Sequence, residues 1–177
     1  MTRGEARRYG YPGIKGLNAL IATLSTPLAA PVIVATRLRK GNTNSARGAP
    51  NFVADALATG RRAGAGGLTT LRADSAYYNH DVVAAARRGG ARFSITARLN
   101  PTVAKAIASV CDDAWVSIRY PNAIWEEVEQ RWISDAEVAE ISFTAFTSKR
   151  ADQHVTGRLI TPPGETPQPR QPPGVPR

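Results

Sequence analysis

The longest apolar stretch of the chain, Leu17–Thr36, is interrupted in its middle by two prolines, Pro27 and Pro31. An uninterrupted stretch of this length is typical of a membrane-spanning helix. Two prolines, however, break such a helix more readily than they kink it. The pattern therefore predicts two buried strands, Leu17–Leu24 and Pro31–Arg37, joined by a turn.

Beyond residue 40, the spacing of apolar residues changes repeatedly between the period of a helix and that of a strand. Polar and glycine-rich stretches separate these segments and supply start and stop signals. The first predicted helix is Phe52–Ala63, capped by Asn51, and the strand Leu68–Ala73 follows it. A second helix begins at Asn79 or Asp81, runs to Arg88 and ends at Gly89–Gly90. The strand Arg92–Leu99 and a third helix at Pro101–Cys111 complete the order. With the two preceding strands, this order indicates an α/β or mixed α/β fold.

A different pattern begins after residue 111. Trp115–Tyr120 and Ile141–Thr147 have strand spacing, and Ile124–Ile133 is typical of a hairpin. Between them, Ser134–Glu137 fits a capping box and predicts a short helix. The last 16 residues contain seven prolines and no aromatic residue, so we expect an extended or disordered tail. This divides the chain into a core at 1–111, a small strand-rich insert at 112–160 and a tail at 161–177.

Charge is distributed unevenly along the 177 residues, whose net charge is +9. Residues 1–110 carry a net charge of +12, whereas residues 111–156 carry −5. An excess of arginine is what contact with nucleic-acid phosphates needs, and it is equally typical of a solvated basic surface.

Cysteine and histidine are scarce, which excludes several classes of protein. The single cysteine, Cys111, rules out an internal disulfide and any multi-cysteine metal cluster. Two histidines leave little for a zinc site. The basic N-terminus is followed by turn-forming residues and not by the apolar segment of a secretory signal, so we expect a soluble, cytoplasmic protein.

The sharpest local feature is the segment Leu71–Tyr78, in which an apolar strand ends in a lone acid, Asp74. Open α/β sheets place their chemistry at the carboxyl ends of strands. One carboxylate can share in holding Mg²⁺, although this ion needs several oxygen ligands. Taken by itself, an acid at this position is more often a surface residue that begins a turn than a functional group.

Several separated motifs, which occur between Tyr9 and Leu159, resemble those of the DDE transposases of bacterial insertion sequences, in the same order. The motifs are Gly-Tyr-x-Gly-x-x-Gly-Leu-Asn at 10–18, Arg-Leu-Arg-Lys-Gly at 37–41, Arg-Ala-Asp-Ser-Ala-Tyr-Tyr at 72–78, Ala-Arg-Phe-Ser-Ile-Thr-Ala-Arg at 91–98 and Phe-Thr-Ala-Phe-Thr-Ser at 143–148. The resemblance implies a ribonuclease H-like fold, a mixed sheet flanked by helices. It also implies DNA cleavage and strand transfer by three acidic residues that hold two Mg²⁺ or Mn²⁺ ions.

On this resemblance, Asp74 matches the second of the three acids, on the strand after the first helix, and is a metal ligand. The first acid of the family lies upstream of the Gly-Tyr motif, where Glu5 is the only acid and lies in no apolar strand. The third is a glutamate on a helix beyond the insert, where this chain becomes proline-rich. Two of the three ligands are therefore missing, which predicts an internal fragment of a transposase that is inactive alone.

Candidate DNA-binding residues lie on both sides of the first predicted helix. Before it, basic residues cluster beside a Gly/Asn loop, and after it a basic residue and two aromatic residues flank Asp74. Aromatic side chains there can stack on an unpaired base, or they can belong to the core. The set is Arg37, Arg39, Lys40, Arg47, Arg72, Tyr77 and Tyr78, and the other arginines of this half are Arg61, Arg62, Arg87, Arg88, Arg92 and Arg98.

Three hypotheses follow from the sequence. The first is the transposase fragment, with DNA as its partner, no membrane association and a possible homo-oligomer on DNA. The second is a non-catalytic basic DNA-binding module, which needs no acidic triad. The third is a degenerate chain without function, in which a sheet that lacks its first strand exposes an edge and an apolar face.

Overall fold

The computed structural model describes residues 8–9, 15–118, 125–128, 130–132 and 136–162. Residues 163–177 of the predicted tail lie outside the described residues, as do Glu5 and most of the first motif at 10–18. The chain forms two compact units, unit 1 at 1–98 and unit 2 at 99–177. The predicted boundary after residue 111 stays a prediction. Helices and strands are both present in the described residues, so the predicted mixed α/β class is confirmed.

An antiparallel hairpin opens unit 1. Strand β1 is Arg8–Tyr9, β2 is Lys15–Thr26 and β3 is Ala29–Lys40, in the order β1-β2-β3. The two long strands confirm the predicted pair, but the prediction that they are buried is wrong for one face. Leu20 is 3% exposed, whereas Ile21 is 61% exposed. Successive strand residues face opposite sides, and only one side of the hairpin packs against the following helix.

The first helix, α1, is Ala49–Arg62 and begins earlier than predicted. Gly48 precedes it with a φ of 76°, a left-handed conformation that favours glycine. Pro50 in the first turn has a fixed φ that suits a helix start. Asn51 therefore lies inside the helix, and its predicted role as N-cap is wrong.

A parallel βαβ arrangement completes unit 1. Strand β4 is Thr70–Ala73, helix α2 is His80–Arg88 and β5 is Arg92–Ile95, paired in parallel with β4. The side chain of Asn79 accepts a hydrogen bond from the backbone N–H of Asp81, which confirms Asn79 as the predicted cap. The core joins both helices to this two-stranded sheet through Ala49, Val53, Val82, Ala85, Ala86 and Ala91, with Leu57, Leu71, Tyr77 and Ile95 packed against them.

Unit 2 is rich in strands, as the pattern predicts. Its elements are α3 at Pro101–Ala108, β6 at Val116–Ile118, β7 at Trp125–Glu126, β8 at Arg131–Trp132, β9 at Ala136–Ala145 and β10 at Val155–Thr161. Strands β7 and β8 form the predicted hairpin. The predicted helix at Ser134–Glu137 is wrong, because Ala136 and Glu137 begin β9 and pair with β6. Pairing with a distant strand outweighs the local capping signal.

The strands of unit 1 form two small sheets, one antiparallel and one parallel, among the residues that the structure describes. Helix α1 connects them in sequence and packs against β2, β3 and α2. No helix in the described parts of the chain has the length and apolar character needed to cross a membrane.

Candidate nucleic-acid interface around Asp74

Asp74 follows β4 directly, at the carboxyl end of a parallel strand, and is exposed. Its Oδ1 accepts a 2.8 Å hydrogen bond from the backbone N–H of Ala76 and caps the 3₁₀ turn Ser75–Tyr77. Among the described residues nothing donates to its second oxygen, Oδ2. The side chain therefore fills a structural role with one oxygen and leaves the other available to a cation.

The other two carboxylates that the structure describes in unit 1 have partners of their own. Asp55 pairs with Arg37 at 2.7 Å, and Asp81 lies 2.9 Å from the Nδ1 of His80. In the described ranges no group of three or more His, Cys, Asp or Glu residues is placed to hold a metal ion. The role of Asp74 as a metal ligand stays a prediction.

Tyr77 connects the Asp74 turn to the core and to the end of β3. Its ring is half-buried and packs against the core of unit 1. Burial raises the pKa of the Tyr77 hydroxyl, the positive charge of Arg39 opposes this rise in pKa, and the negative charge of Asp74 adds to it. Arg39 and Asp74 are therefore both within electrostatic reach of the Tyr77 hydroxyl.

Tyr78 is also half-buried, and burial raises the pKa of its hydroxyl. Base stacking by Tyr77 and Tyr78 stays a prediction. The packing of Tyr77 agrees with the alternative in which an aromatic residue at this position belongs to the core.

Arg37 is held by the first helix. Its guanidinium donates to the Asp55 carboxylate at 2.7 Å and to the Gly48 carbonyl oxygen at 3.2 Å. It also lies over the Phe52 ring, 5.6 Å from the ring centre. These contacts tie β3 to the start of α1 and partly neutralise the cation, so both terminal nitrogens of Arg37 serve the fold.

Arg39 organises the loop between β3 and α1. Its Nη1 donates to the carbonyl oxygens of Asn44, Ser45 and Arg47 at 3.0–3.1 Å. Its Nη2 donates to Oδ1 of Asn18 at 2.7 Å. Both terminal nitrogens of Arg39 are engaged inside unit 1. Arg39 therefore holds the loop that carries Arg47 in its conformation.

Lys40, Arg47 and Arg72 differ from these two arginines. All three are exposed, and none of their side chains makes a hydrogen bond or ion pair to another described residue. Arg72 and Asp74 are two residues apart on extended backbone, so their side chains leave the same side of the strand. These three cations are free to contact phosphates.

Two further residues support the site, and no local sequence signal distinguishes them. Asn18 orients Arg39 from the neighbouring strand, and Arg98 donates from Nε to the Ser75 carbonyl oxygen at 3.0 Å. Arg98 thereby holds the turn that begins at Asp74, from a position 24 residues away in the sequence. Charge alone assigned Arg98 to the general basic surface, because the sequence does not show its acceptor.

Comparison of the chain with protein-family models, with curated proteins and with solved structures found no match.

Proposed function

We propose that this chain carries a ribonuclease H-like transposase core that contacts DNA through unit 1, with Asp74 as one ligand of Mg²⁺ or Mn²⁺. The observation that carries the proposal is the exposed Asp74 carboxylate, with one oxygen free, at the carboxyl end of β4. Parallel sheets place ligand chemistry at this end of their strands.

The order of elements in unit 1 supports the proposed fold. Antiparallel strands come first, helix α1 follows, and the strand that ends at Asp74 comes directly after that helix. The resemblance places its second acid on the strand after the first helix, which is the position of Asp74 in this chain.

The unpaired cations support DNA as the partner. Lys40, Arg47 and Arg72 have no carboxylate partner among the described residues, so their charges are available to phosphates. Arg39 and Asn18 fix the loop that carries Arg47. We therefore assign phosphate contact to the three free cations and a positioning role to Arg39.

The chain by itself is proposed to lack strand-transfer activity. The resemblance provides only Asp74 of the three acids, and a hard cation held by one carboxylate keeps most of its water. Strand cleavage needs two ions that stabilise the attacking and leaving oxygens, and therefore needs the remaining carboxylates.

A non-catalytic DNA-binding module is the second candidate function. The free cations at Lys40, Arg47 and Arg72 favour it, because phosphate contact through them needs no metal. In this candidate Asp74 serves only as the cap of its turn.

Both candidate functions assign contact with DNA phosphates to the three free cations. The salt dependence of binding to duplex DNA tests this contact. The plot of log K against log salt has a negative slope. The variant Lys40→Gln/Arg47→Gln/Arg72→Gln is expected to reduce the magnitude of this slope by about 2 to 3. Its matched control is Lys149→Gln/Arg150→Gln/Arg158→Gln, which removes the same charge from unit 2. We name the surface with Asp74, Lys40, Arg47 and Arg72 the Asp74 end. If the magnitude of the slope decreases equally in both variants, DNA contact at the Asp74 end is contradicted.

A nicking assay tests the proposed lack of activity. Supercoiled plasmid is incubated with the purified chain in Mg²⁺ or Mn²⁺, and we expect no conversion to nicked circles. Metal-dependent nicking that Asp74→Asn abolishes overturns the proposal that the chain is inactive alone.

A further inference from the structure

Unit 1 has a second basic surface, at the end opposite Asp74. The parallel strands β4 and β5 begin at this end, and helices α1 and α2 finish there. The topology gathers five arginines from three elements into what we name the arginine end: Arg61, Arg62, Arg87, Arg88 and Arg92.

The positive charge of the arginine end is not neutralised within the described chain. None of the five arginines makes an ion pair with a described residue. Arg61 donates to the Gly89 carbonyl oxygen and Arg62 to the Thr59 hydroxyl, and both acceptors are uncharged. A cation in the last turn of a helix is favoured by the helix dipole. That effect does not account for Arg92, which lies on a strand.

A glycine-rich loop forms a concave surface at the same end. The cavity has a volume of about 520 Å³ and is lined by the loop at 64–67 together with Arg61, Thr69 and Gly90. The backbone N–H groups of Gly66 and Gly67 donate to no other described residue. Apart from its two chain neighbours, no described residue has atoms within 4 Å of the position that a Cβ would occupy at Gly67. Free backbone donors beside guanidinium groups are the donor set that phosphate oxygens accept from.

We propose that the arginine end binds the phosphodiester backbone of duplex DNA, as a contact surface separate from the Asp74 end. The inference rests on the proposed function in taking DNA as the polyanion. The lining of the cavity is polar and backbone-rich, which fits phosphate better than a lipid surface. The two ends lie at opposite termini of the same parallel strands, so their arginine and lysine side chains can be tested separately.

Salt-dependent DNA binding in EDTA tests this inference without any catalytic step. The variant Arg87→Gln/Arg88→Gln/Arg92→Gln is expected to reduce the magnitude of the slope of log K against log salt by about 2 to 3. The control Lys149→Gln/Arg150→Gln/Arg158→Gln leaves the slope within about 0.5 of the wild type if the charge acts locally. An unchanged slope in the Arg87/Arg88/Arg92 variant overturns the inference.

A second pair of variants keeps the test valid if the triple variant does not fold. Gly67→Asp places a carboxylate in the open loop, and Gly67→Asn places a neutral side chain of the same shape there. We expect Gly67→Asp to weaken duplex binding about 3- to 10-fold relative to Gly67→Asn at low salt. Equal affinities of these two variants contradict a phosphate at the loop.

The outcomes separate this inference from the proposed function. If only the Lys40/Arg47/Arg72 variant reduces the magnitude of the slope, the arginine end is not a DNA contact and the proposed function stands. If only the Arg87/Arg88/Arg92 variant reduces it, the arginine end binds DNA and the proposed contact at the Asp74 end fails. A wild type without salt-dependent DNA binding overturns both.

Discussion

Arg39 donates from Nη2 to Oδ1 of Asn18 at 2.7 Å, directly across the β2–β3 hairpin. This bond turns the guanidinium so that Nη1 reaches three carbonyl oxygens of the following loop. A residue that the sequence assigns to DNA contact on its charge therefore serves first to shape the loop. Arg47, a free cation of that loop, depends on that shape for its position.

Replacement of Arg39 is expected to destabilise unit 1. Arg39→Ala removes four hydrogen bonds to a charged group, and we expect the free energy of unfolding to fall by about 2–3 kcal/mol. Arg39→Lys keeps the charge but loses the planar fork, so it recovers less than half of that loss. Urea unfolding followed by circular dichroism measures both, with the exposed Lys40→Gln as control. If Arg39→Lys is as stable as the wild type, the positioning role is wrong.

The capping role of Asp74 separates two substitutions that both remove its charge. Asp74→Ala loses the acceptor for the Ala76 N–H, and we expect a cost of about 1 kcal/mol in the free energy of unfolding. Asp74→Asn keeps a side-chain oxygen at the same place and is expected to unfold within about 0.3 kcal/mol of the wild type. Chemical denaturation of the two variants provides the comparison. Equal destabilisation of both variants contradicts the observed cap.

The raised pKa of Tyr77 makes the stability of unit 1 dependent on pH in alkaline solution. Burial disfavours the phenolate, so the folded-state pKa lies above the unfolded value of about 10. The stabilisation is complete below about pH 10 and is lost as the pH rises through the folded-state pKa. Tyr77→Phe is therefore expected to lose less stability than the wild type when thermal unfolding is compared between pH 8 and pH 11.5. Identical losses in the two proteins argue against this role of the hydroxyl.

Gly89 allows α1 and α2 to approach closely. A Cβ at this position lies 2.5 Å from Cδ1 of Leu57 and 3.3 Å from the carbonyl oxygens of Ala85 and Ala86. We expect Gly89→Ala to reduce the free energy of unfolding by about 1–2 kcal/mol, because Leu57 must move within the core. Gly67→Ala, in open space, is the control and is expected to be neutral within about 0.5 kcal/mol. If Gly89→Ala leaves the free energy of unfolding unchanged, α1 and α2 do not depend on a glycine at this position for their packing.

Elements with strong local signals were predictable from the sequence. Asn79 at the start of α2 and Gly89–Gly90 at its end determine that helix within a few residues, and the structure confirms both. The start of α1 was missed because the left-handed Gly48 moves it to a point before the expected cap at Asn51. The strand at Ala136 was missed because its partner, Ile118, is 18 residues away.

The candidate site was predictable in its residue types but not in its partners. The sequence identifies Asp74 at a strand end, and the structure places it there. It cannot separate Arg37, which pairs with Asp55, from Arg72, which makes no pair among described residues. Hydrogen-bond acceptors such as the carbonyl oxygens of the loop become visible only when the hairpin and helix are folded together.

Binding of Mn²⁺ to the DNA complex tests most directly whether Asp74 is a metal ligand. Paramagnetic broadening of backbone amide signals is measured by NMR for the wild type and for Asp74→Asn, each bound to duplex DNA. We expect broadening concentrated at residues 74–77 in the wild type and its loss in Asp74→Asn. Broadening that is absent from this segment, or that persists unchanged in Asp74→Asn, contradicts the assignment and leaves DNA binding without a metal as the function of this end.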